Sequence, residues 1–249
     1  MTDLKGRTAL VTGASRGIGR ATALRLAADG AFMVAHYGRN REQADGLVAE
    51  IVGAGGAAVA VGADLATAEG VDRLVAETER ALGDRPLDVL VNNAGVAEFV
   101  GLEETDAAAI DRQLAVNVRA PFLLTVRLLP RMTEGSSVVM LSSVVAERHF
   151  PGIAAYAVTK GAVNTMVIQL AAELGGRGVR VNGVAPGAID TDMSAWLRSD
   201  EGVATAHGIQ ALRRVGQVGD VAGAIAFLAG PDSGWVTGQV IHASGGTKL

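Results

Sequence analysis

The strongest constraint on this chain is a rhythm: short apolar runs rich in β-branched residues alternate with longer stretches of helical period along nearly all of its length. The runs are TALVT (8–12), FMVAHY (32–37), AAVAVGA (57–63), DVLVNN (88–93), SVVMLS (137–142), VRVNGV (179–184) and QVIHA (239–243). Most lack a clean apolar-polar alternation, so both faces of such strands must be covered. Strand and helix in regular succession predict an α/β, three-layer αβα architecture around a seven-stranded parallel sheet. In the stretch 161–174, Val163, Met166, Val167, Leu170 and Leu174 recur at three- and four-residue steps, the period of a helix with one buried face. With 249 residues and no linker, low-complexity tract or repeat, residues 1–249 read as a single domain. Only the segment 191–217 loses the rhythm, and a long irregular stretch late in a compact domain is expected to be a substrate-binding lid.

Composition removes several classes of function. There is no cysteine, which excludes disulfides, thiolate metal sites and cysteine nucleophiles, and the four histidines (His36, His149, His207, His242) show no ligand spacing, so no metal is expected. A formal charge of −4 gives no general attraction for nucleic acid or anionic membrane. The beginning, MTDLKGRTALVTG, has no basic segment leading into an apolar core, and no apolar run reaches the roughly 18 residues of a membrane span. A soluble, cytoplasmic protein with a small-molecule partner is the expectation.

The first strand runs into TGASRGIG, with Gly13, Gly17 and Gly19, and then into a helix whose Ala21, Leu24 and Ala28 can face a sheet. Gly13 allows a tight turn, Gly17 lets backbone approach a pyrophosphate, and Gly19 allows close packing of helix on strand, with the anion at the helix N-terminus. The spacing is G-x-x-x-G-x-G, and no Lys-Ser/Thr follows, so this is not a P-loop. A glycine-rich turn without a ligand is the structural alternative.

TGASRGIG resembles the nucleotide loop of the short-chain dehydrogenase/reductases. Asp64-Leu65 after the third strand is similar to that family's adenine-contacting motif, and Asn92-Asn93-Ala94-Gly95 after the fourth to its sheet-stabilising motif. The resemblance extends from Lys5 to Gly246. It implies a Rossmann-like domain with strand order 3-2-1-4-5-6-7, an NAD(P)-dependent oxidoreductase interconverting a ketone and a secondary alcohol, and a homotetramer. Through VTGASRGIGRA, LVNNAG and VAPGAIDTDM it also resembles 3-oxoacyl-[acyl-carrier-protein] reductases, which admits an acyl thioester among the substrates. The cofactor contacts it implies are Gly13, Ser15, Arg16, Gly17, Ile18, Gly19, Tyr37, Arg39, Asp64, Leu65, Asn93, Ala94, Gly95, Tyr156, Lys160, Pro186, Gly187, Ile189 and Thr191. Taken without the family, Asp64 reads equally as a helix-cap aspartate.

Tyr156 and Lys160 are four apart on a predicted helix and project from one face. A phenol with a pKa near 10 is a poor acid-base group at neutral pH, but an adjacent ammonium and a cationic nicotinamide would lower that value. Ser143 lies thirteen positions earlier at a strand end, and by resemblance it holds the substrate carbonyl, Tyr156 exchanges the proton, and Lys160 holds the nicotinamide ribose. Strand alternation turns the neighbouring Ser142 to the opposite face. Asn117 falls on the apolar face of a helix that bears Ile110, Leu114, Val118, Pro121, Thr125 and Leu128, and an asparagine there needs a partner. Pro121 has no N–H for the carbonyl of Asn117, so a kink is expected. The family carries its fourth catalytic residue at this position; a proline break between two stacked helices is the alternative. Val96, Phe99, Val145, His149, Met193 and Trp196 are candidates for the substrate wall. A dinucleotide sensor without turnover is the rival class, opposed by the complete set of Asn117, Ser143, Tyr156 and Lys160.

NADP(H) is the expected cofactor, with NAD(H) also admitted. A Rossmann unit usually reads the ribose 2′-hydroxyl with an acidic residue about 20 residues beyond the glycines. Here that place is His36-Tyr37-Gly38-Arg39-Asn40, without a carboxylate, and Arg39 together with Arg16 of the glycine loop can meet a 2′-phosphate.

Overall fold

A computed structural model describes residues 3–249. The seven strands are β1 (Thr8–Val11), β2 (Phe32–Tyr37), β3 (Ala57–Gly62), β4 (Val89–Asn92), β5 (Ser137–Leu141), β6 (Arg180–Pro186) and β7 (Val240–Ala243). All pair in parallel, in the order β3-β2-β1-β4-β5-β6-β7. The helices between them are α1 (Gly17–Ala28), α2 (Arg41–Gly53), α3 (Ala68–Leu82), α4 (Ala107–Leu114), α5 (Ala120–Leu128), α6 (Ala154–Gly175), α7 (Asp200–Ile209) and α8 (Val218–Ala229). This is the Rossmann-like arrangement, and it creates a crevice at the strand C-termini where the order reverses between β1 and β4.

Strand alternation explains the two layers. Leu10, Val34, Leu90, Val138 and Val181 face one side and pack with Leu74 and Leu82 of α3, Leu124 and Leu128 of α5, and Val163, Val167 and Leu170 of α6. Their neighbours Ala9, Val11, Met33, Ala35, Val89, Val91 and Val139 face the other, against Leu26 of α1, Leu47 and Ile51 of α2, and Val221 and Ile225 of α8. The five apolar positions expected along 161–174 are all buried in α6.

Three expectations need correction. In α1 the buried stripe is Gly19, Thr22, Ala23 and Leu26, with Ala28 exposed; the helix lies against α8 as well as the sheet, so Ala21 and Leu24 are only partly covered. The segment 191–217 is not irregular throughout. It contains a 3-10 helix, Asp192–Arg198, and then α7, capped by Ser199, whose hydroxyl accepts the Gly202 N–H at 3.1 Å. Only Gly202 and Ala206 of α7 are buried, so the helix presents no apolar period to read. Finally, the helix with Pro121 is divided by a π turn, Ala115–Arg119, in which the Ala120 N–H reaches back to the Ala115 carbonyl. Asn117, Pro121, Thr125 and Leu128 are buried, whereas Ile110 and Leu114 are exposed. The proline's missing N–H is accommodated by widening one turn.

Exposed apolar side chains also include Phe122 and Val126 of α5, Val158 and Ile168 of α6, and the fully exposed Trp235. No helix among the described residues is long and apolar enough to cross a membrane.

Candidate active site

The turn from β1 into α1 is held from several directions. Gly13 has φ +65°, and a Cβ there would lie 3.0 Å from the Cα of Ala94. Asn93 Nδ2 donates to the Thr12 carbonyl at 2.7 Å and to the Gly13 carbonyl at 3.2 Å, while the Thr12 hydroxyl accepts the Asn93 and Ala94 N–H groups, both at 2.9 Å. A Cβ on Gly19 would overlap both the Gly13 carbonyl oxygen and Asn93 Nδ2. Helix α1 has no side-chain cap and no acidic residue in its first turn, and Ser15 and Arg16 lead into it. The first amides of α1, from Gly17, Ile18 and Gly19, therefore fit an anion such as a dinucleotide pyrophosphate. Gly17 (φ +55°) faces Thr191, whose methyl would be 3.6 Å from a Cβ at that position.

The adenine side is more mixed. Asp64 is exposed, and its carboxylate accepts the Ala66 N–H at 3.0 Å; the cap of α3 is Thr67. The side chain of Leu65 belongs to the core, so only its backbone is offered to a ligand. The Tyr37 ring lies across Gly62 of β3. Arg39 is exposed, and Asn40 caps α2. Arg16 pairs with Asp192 at 3.2 Å across the cleft, and Arg198 also reaches Asp192 at 3.1 Å and Asp190 at 3.4 Å.

Helix α6 and the end of β5 bring Ser143, Tyr156 and Lys160 together. A hydrogen bond from Ser143 draws the Tyr156 phenol down, but burial outweighs it and pushes the phenol up to about 12. The polypeptide's own groups thus move Tyr156 opposite to the expected direction. Lys160 Nζ lies 5.5 Å from the centre of the Tyr156 ring and donates to the Leu141 carbonyl at 2.7 Å. Burial lowers its ammonium to about 8. Ser142 is buried and its hydroxyl donates to Asn164 Oδ1 at 2.5 Å, so it fastens the strand end to α6.

Asn117 finds the partners its burial demands. Its Oδ1 accepts the Val96 N–H at 2.9 Å, and its Nδ2 donates to the Val96 carbonyl at 2.8 Å and to the Thr159 hydroxyl at 3.1 Å. The π turn thereby clasps the segment after β4. Gly95 is drawn in with it: a Cβ there would be 3.3 Å from Asn117 Oδ1 and 3.7 Å from Lys160 Nζ. Pro186 ends β6, a Cβ on Gly187 would crowd Ser244 and Thr247, and Ile189 is core. The Thr191 hydroxyl shares a hydrogen bond with Ser194 at 2.9 Å.

A cavity of about 510 Å³ adjoins Ser143 and Tyr156 along the chain, with Val100, Leu102, Val145, His149, Phe150 and Pro151 in its wall. Of the expected wall residues, Val145 and His149 line it; Val96, Phe99, Met193 and Trp196 do not. Sequence reasoning also missed two polar connections. Glu147 joins Asn164 of α6 (3.2 Å) to His242 of β7 (3.3 Å), and His36 holds the glycine loop. For His36 the available signal was its place at the tip of the second strand.

The family model described as enoyl-(acyl carrier protein) reductase matches residues 13–248, and the chain belongs to the short-chain dehydrogenase/reductase family, as an oxidoreductase acting on carbonyl or CH–OH groups. Among curated relatives it is 40% identical over 252 residues to a 3-oxoacyl-[acyl-carrier-protein] reductase of Synechocystis sp., with 100% of both chains covered. It is 38% identical to versicolorin reductase 1 of Aspergillus parasiticus, covering 98% of this chain and 97% of that one. Among solved structures, the angucycline C-6 ketoreductase LanV with bound NADP superposes with a TM-score of 0.95 at 39% identity, covering 100% of this chain and 98% of that chain.

Proposed function

We propose that this protein is an NADPH-dependent ketone reductase in which Tyr156 delivers the proton. The observation that carries the reading is the cluster of Ser143, Tyr156 and Lys160, which lies beside Gly95 and at the same sheet edge as the glycine loop. When bound, the nicotinamide supplies the hydride. The Ser143 hydroxyl holds the substrate carbonyl oxygen and Tyr156 protonates that oxygen as negative charge develops on it. Lys160 holds the ribose and its ammonium stabilises the phenolate left behind. Asn117 fixes Val96 and, through it, the segment after β4 that would border the nicotinamide.

The cavity that follows Ser143 along the chain combines an apolar wall and one phenyl ring with Glu147 and Arg148, and so suits a flat ketone that carries polar substituents. The names of two relatives, a versicolorin reductase and an angucycline ketoreductase, agree with a fused-ring substrate. The 3-oxoacyl thioester of the third relative is the second reading. Segment 191–217 serves as the lid, joined to the glycine loop by Arg16 and Asp192. NADPH is favoured by the acid-free tip of β2 and by Arg16 and Arg39. The exposed apolar residues of α4, α5 and α6 support a homotetramer built on those helices, and light scattering giving a monomer mass would refute it.

The deciding assay follows NADPH absorbance against a panel of fused-ring ketones and 3-oxoacyl thioesters, for the wild type and Tyr156→Phe. Turnover is expected for at least one ketone, and the variant should bind NADPH yet fail to turn over. Wild-type rates in Tyr156→Phe would remove the tyrosine from the mechanism.

A further inference from the structure

At the tip of β2 sits a histidine whose ring is buried and whose nitrogens are both committed to backbone. His36 is 2% exposed. Its Nδ1 accepts the Gly13 N–H at 3.1 Å, and its Nε2 donates to the Ala63 carbonyl at 3.0 Å. Its own carbonyl accepts the next amide of the loop, Ala14 N–H, at 2.8 Å, and the Tyr37 carbonyl accepts the Ala63 N–H at 3.1 Å. Because an amide N–H can only donate, Nδ1 must present its lone pair and the proton must lie on Nε2. A second ring proton would point one donor at another, and burial accordingly lowers the imidazolium to about 4.

The Thr12–Gly13 peptide, to which that N–H belongs, is held at its carbonyl end by Asn93 Nδ2, which donates to the Thr12 carbonyl at 2.7 Å. The carbonyl of the next peptide, that of Gly13, accepts from the same Nδ2 at 3.2 Å, and Gly19 packs directly over it. The position of Gly19, and with it the start of α1, therefore depends on how the two peptides that meet at Gly13 are set. Asn93 holds both carbonyls from β4; from β2 the His36 ring holds the Gly13 N–H and the His36 backbone carbonyl holds the Ala14 N–H, and the ring's other nitrogen ties this corner to β3, whose end leads into Asp64.

We infer that His36 is a positioning residue for the cofactor: its neutral, Nε2-protonated ring sets the Thr12–Gly13 peptide at the turn and so helps aim the first amides of α1 at the pyrophosphate of NADP(H). The inference rests on the reading of the glycine loop as the NADP(H) site. It makes a directional claim, because the bond to Gly13 serves the cofactor whereas the bond to Ala63 serves to hold the ring.

Two substitutions separate these bonds. His36→Asn places an amide oxygen near the site of Nδ1, keeping the acceptor for Gly13 but not reaching Ala63. His36→Gln places an amide nitrogen near the site of Nε2, keeping Ala63 and leaving Gly13 without its acceptor. Each leaves one buried backbone group short, so the losses in Tm should be similar. NADPH affinity, measured by fluorescence titration, should weaken by about 10-fold or more in His36→Gln and by no more than about 3-fold in His36→Asn. Equal losses of affinity, or losses that follow Tm alone, would overturn the inference. Nitrogen-15 spectra of the wild-type protein should show His36 protonated on Nε2 at neutral pH, a result independent of how the variants fold, and a proton on Nδ1 would also overturn it. If the wild type itself fails to bind NADPH, the cofactor reading falls; if it binds and the variants do not diverge, only the role of His36 falls.

Discussion

Asp192→Asn should sharpen the preference for NADPH. Arg16, one of the two guanidinium groups proposed to meet a 2′-phosphate, pairs with Asp192 at 3.2 Å, so phosphate and carboxylate would compete for it. The side chains are 68% and 58% exposed, and pairs so open to water contribute between about 0 and 1 kcal/mol. A charge-assisted hydrogen bond to phosphate contributes roughly 1.5 to 3 kcal/mol, so the phosphate wins and the wild type should prefer NADPH by about 10- to 100-fold. Removing the competing charge returns at most about 1 kcal/mol, a rise of up to about fivefold in the ratio of kcat/KM for NADPH over NADH. The substitution also weakens the link between lid and glycine loop, but that cost falls on both cofactors and cancels in the ratio. Arg16→Ala should lower the ratio to what Arg39 alone supports. The measurement is kcat/KM with each cofactor at low and at physiological salt, the effect shrinking as salt screens the pair. A ratio that falls in Asp192→Asn, or stays unchanged in Arg16→Ala, would refute the competition.

Three further outcomes follow from the geometry. Pro121→Ala supplies the N–H that the Asn117 carbonyl lacks; closing that bond should tighten the π turn, pull Asn117 from Val96 and lower kcat with NADPH affinity retained, and an unchanged kcat would refute this. Gly19→Ala forces a methyl into the Gly13 carbonyl, and should cost about 1 to 3 kcal/mol, hence lower Tm by several degrees, and abolish detectable NADPH binding; parent-like affinity would refute it. His36 gives stability a pH dependence: its folded pKa lies below its unfolded value, at about 4 against 6.5, so below pH 6.5 the unfolded chain takes up a proton that the folded one refuses. Its contribution is full above pH 6.5 and falls by about 3 kcal/mol as pH drops toward 4, a slope that denaturant titrations should show and that His36→Asn should remove.

The inner strands were legible because a strand buried on both faces writes itself as an apolar run, the edge strands β3 and β7, only partly buried, because β-branched residues still fall in short blocks, and the seven runs lie within two residues of the observed ends. Tyr156 and Lys160 could be placed together by their spacing on one helix, but Ser143 joined them only through its resemblance to the family serine in context and distance from the tyrosine. Other features depend on partners that no local pattern records. The ring of His36 meets groups 23 residues before it and 27 after it, and inside an apolar strand it reads only as an exception. Pro121 announces that a helix is disturbed, but whether the answer is a kink or a wider turn depends on what Asn117 can reach. Helix α7 buries only a glycine and an alanine, too little to mark a face. The upward push on the Tyr156 phenol comes from the groups packed around it in the fold, which the tyrosine's own neighbours in sequence do not disclose.

The wide turn at 115–119 also settles what lies on the outside of the helix. Leu114 and Phe122 are eight residues apart, which on an uninterrupted α-helix would be about 800°, some 80° out of line. A π turn acts as one extra residue absorbed without advance, so the same eight positions turn through only about 700°, within roughly 20° of two full revolutions. Ile110, Leu114, Phe122 and Val126 thus line up into a single apolar ridge across the interruption, while Asn117 stays turned inward. Deleting Val116 would regularise the helix and, at seven residues and about 700°, leave the ridge in line, so what the surplus residue adds is the wide turn from which Asn117 reaches Val96.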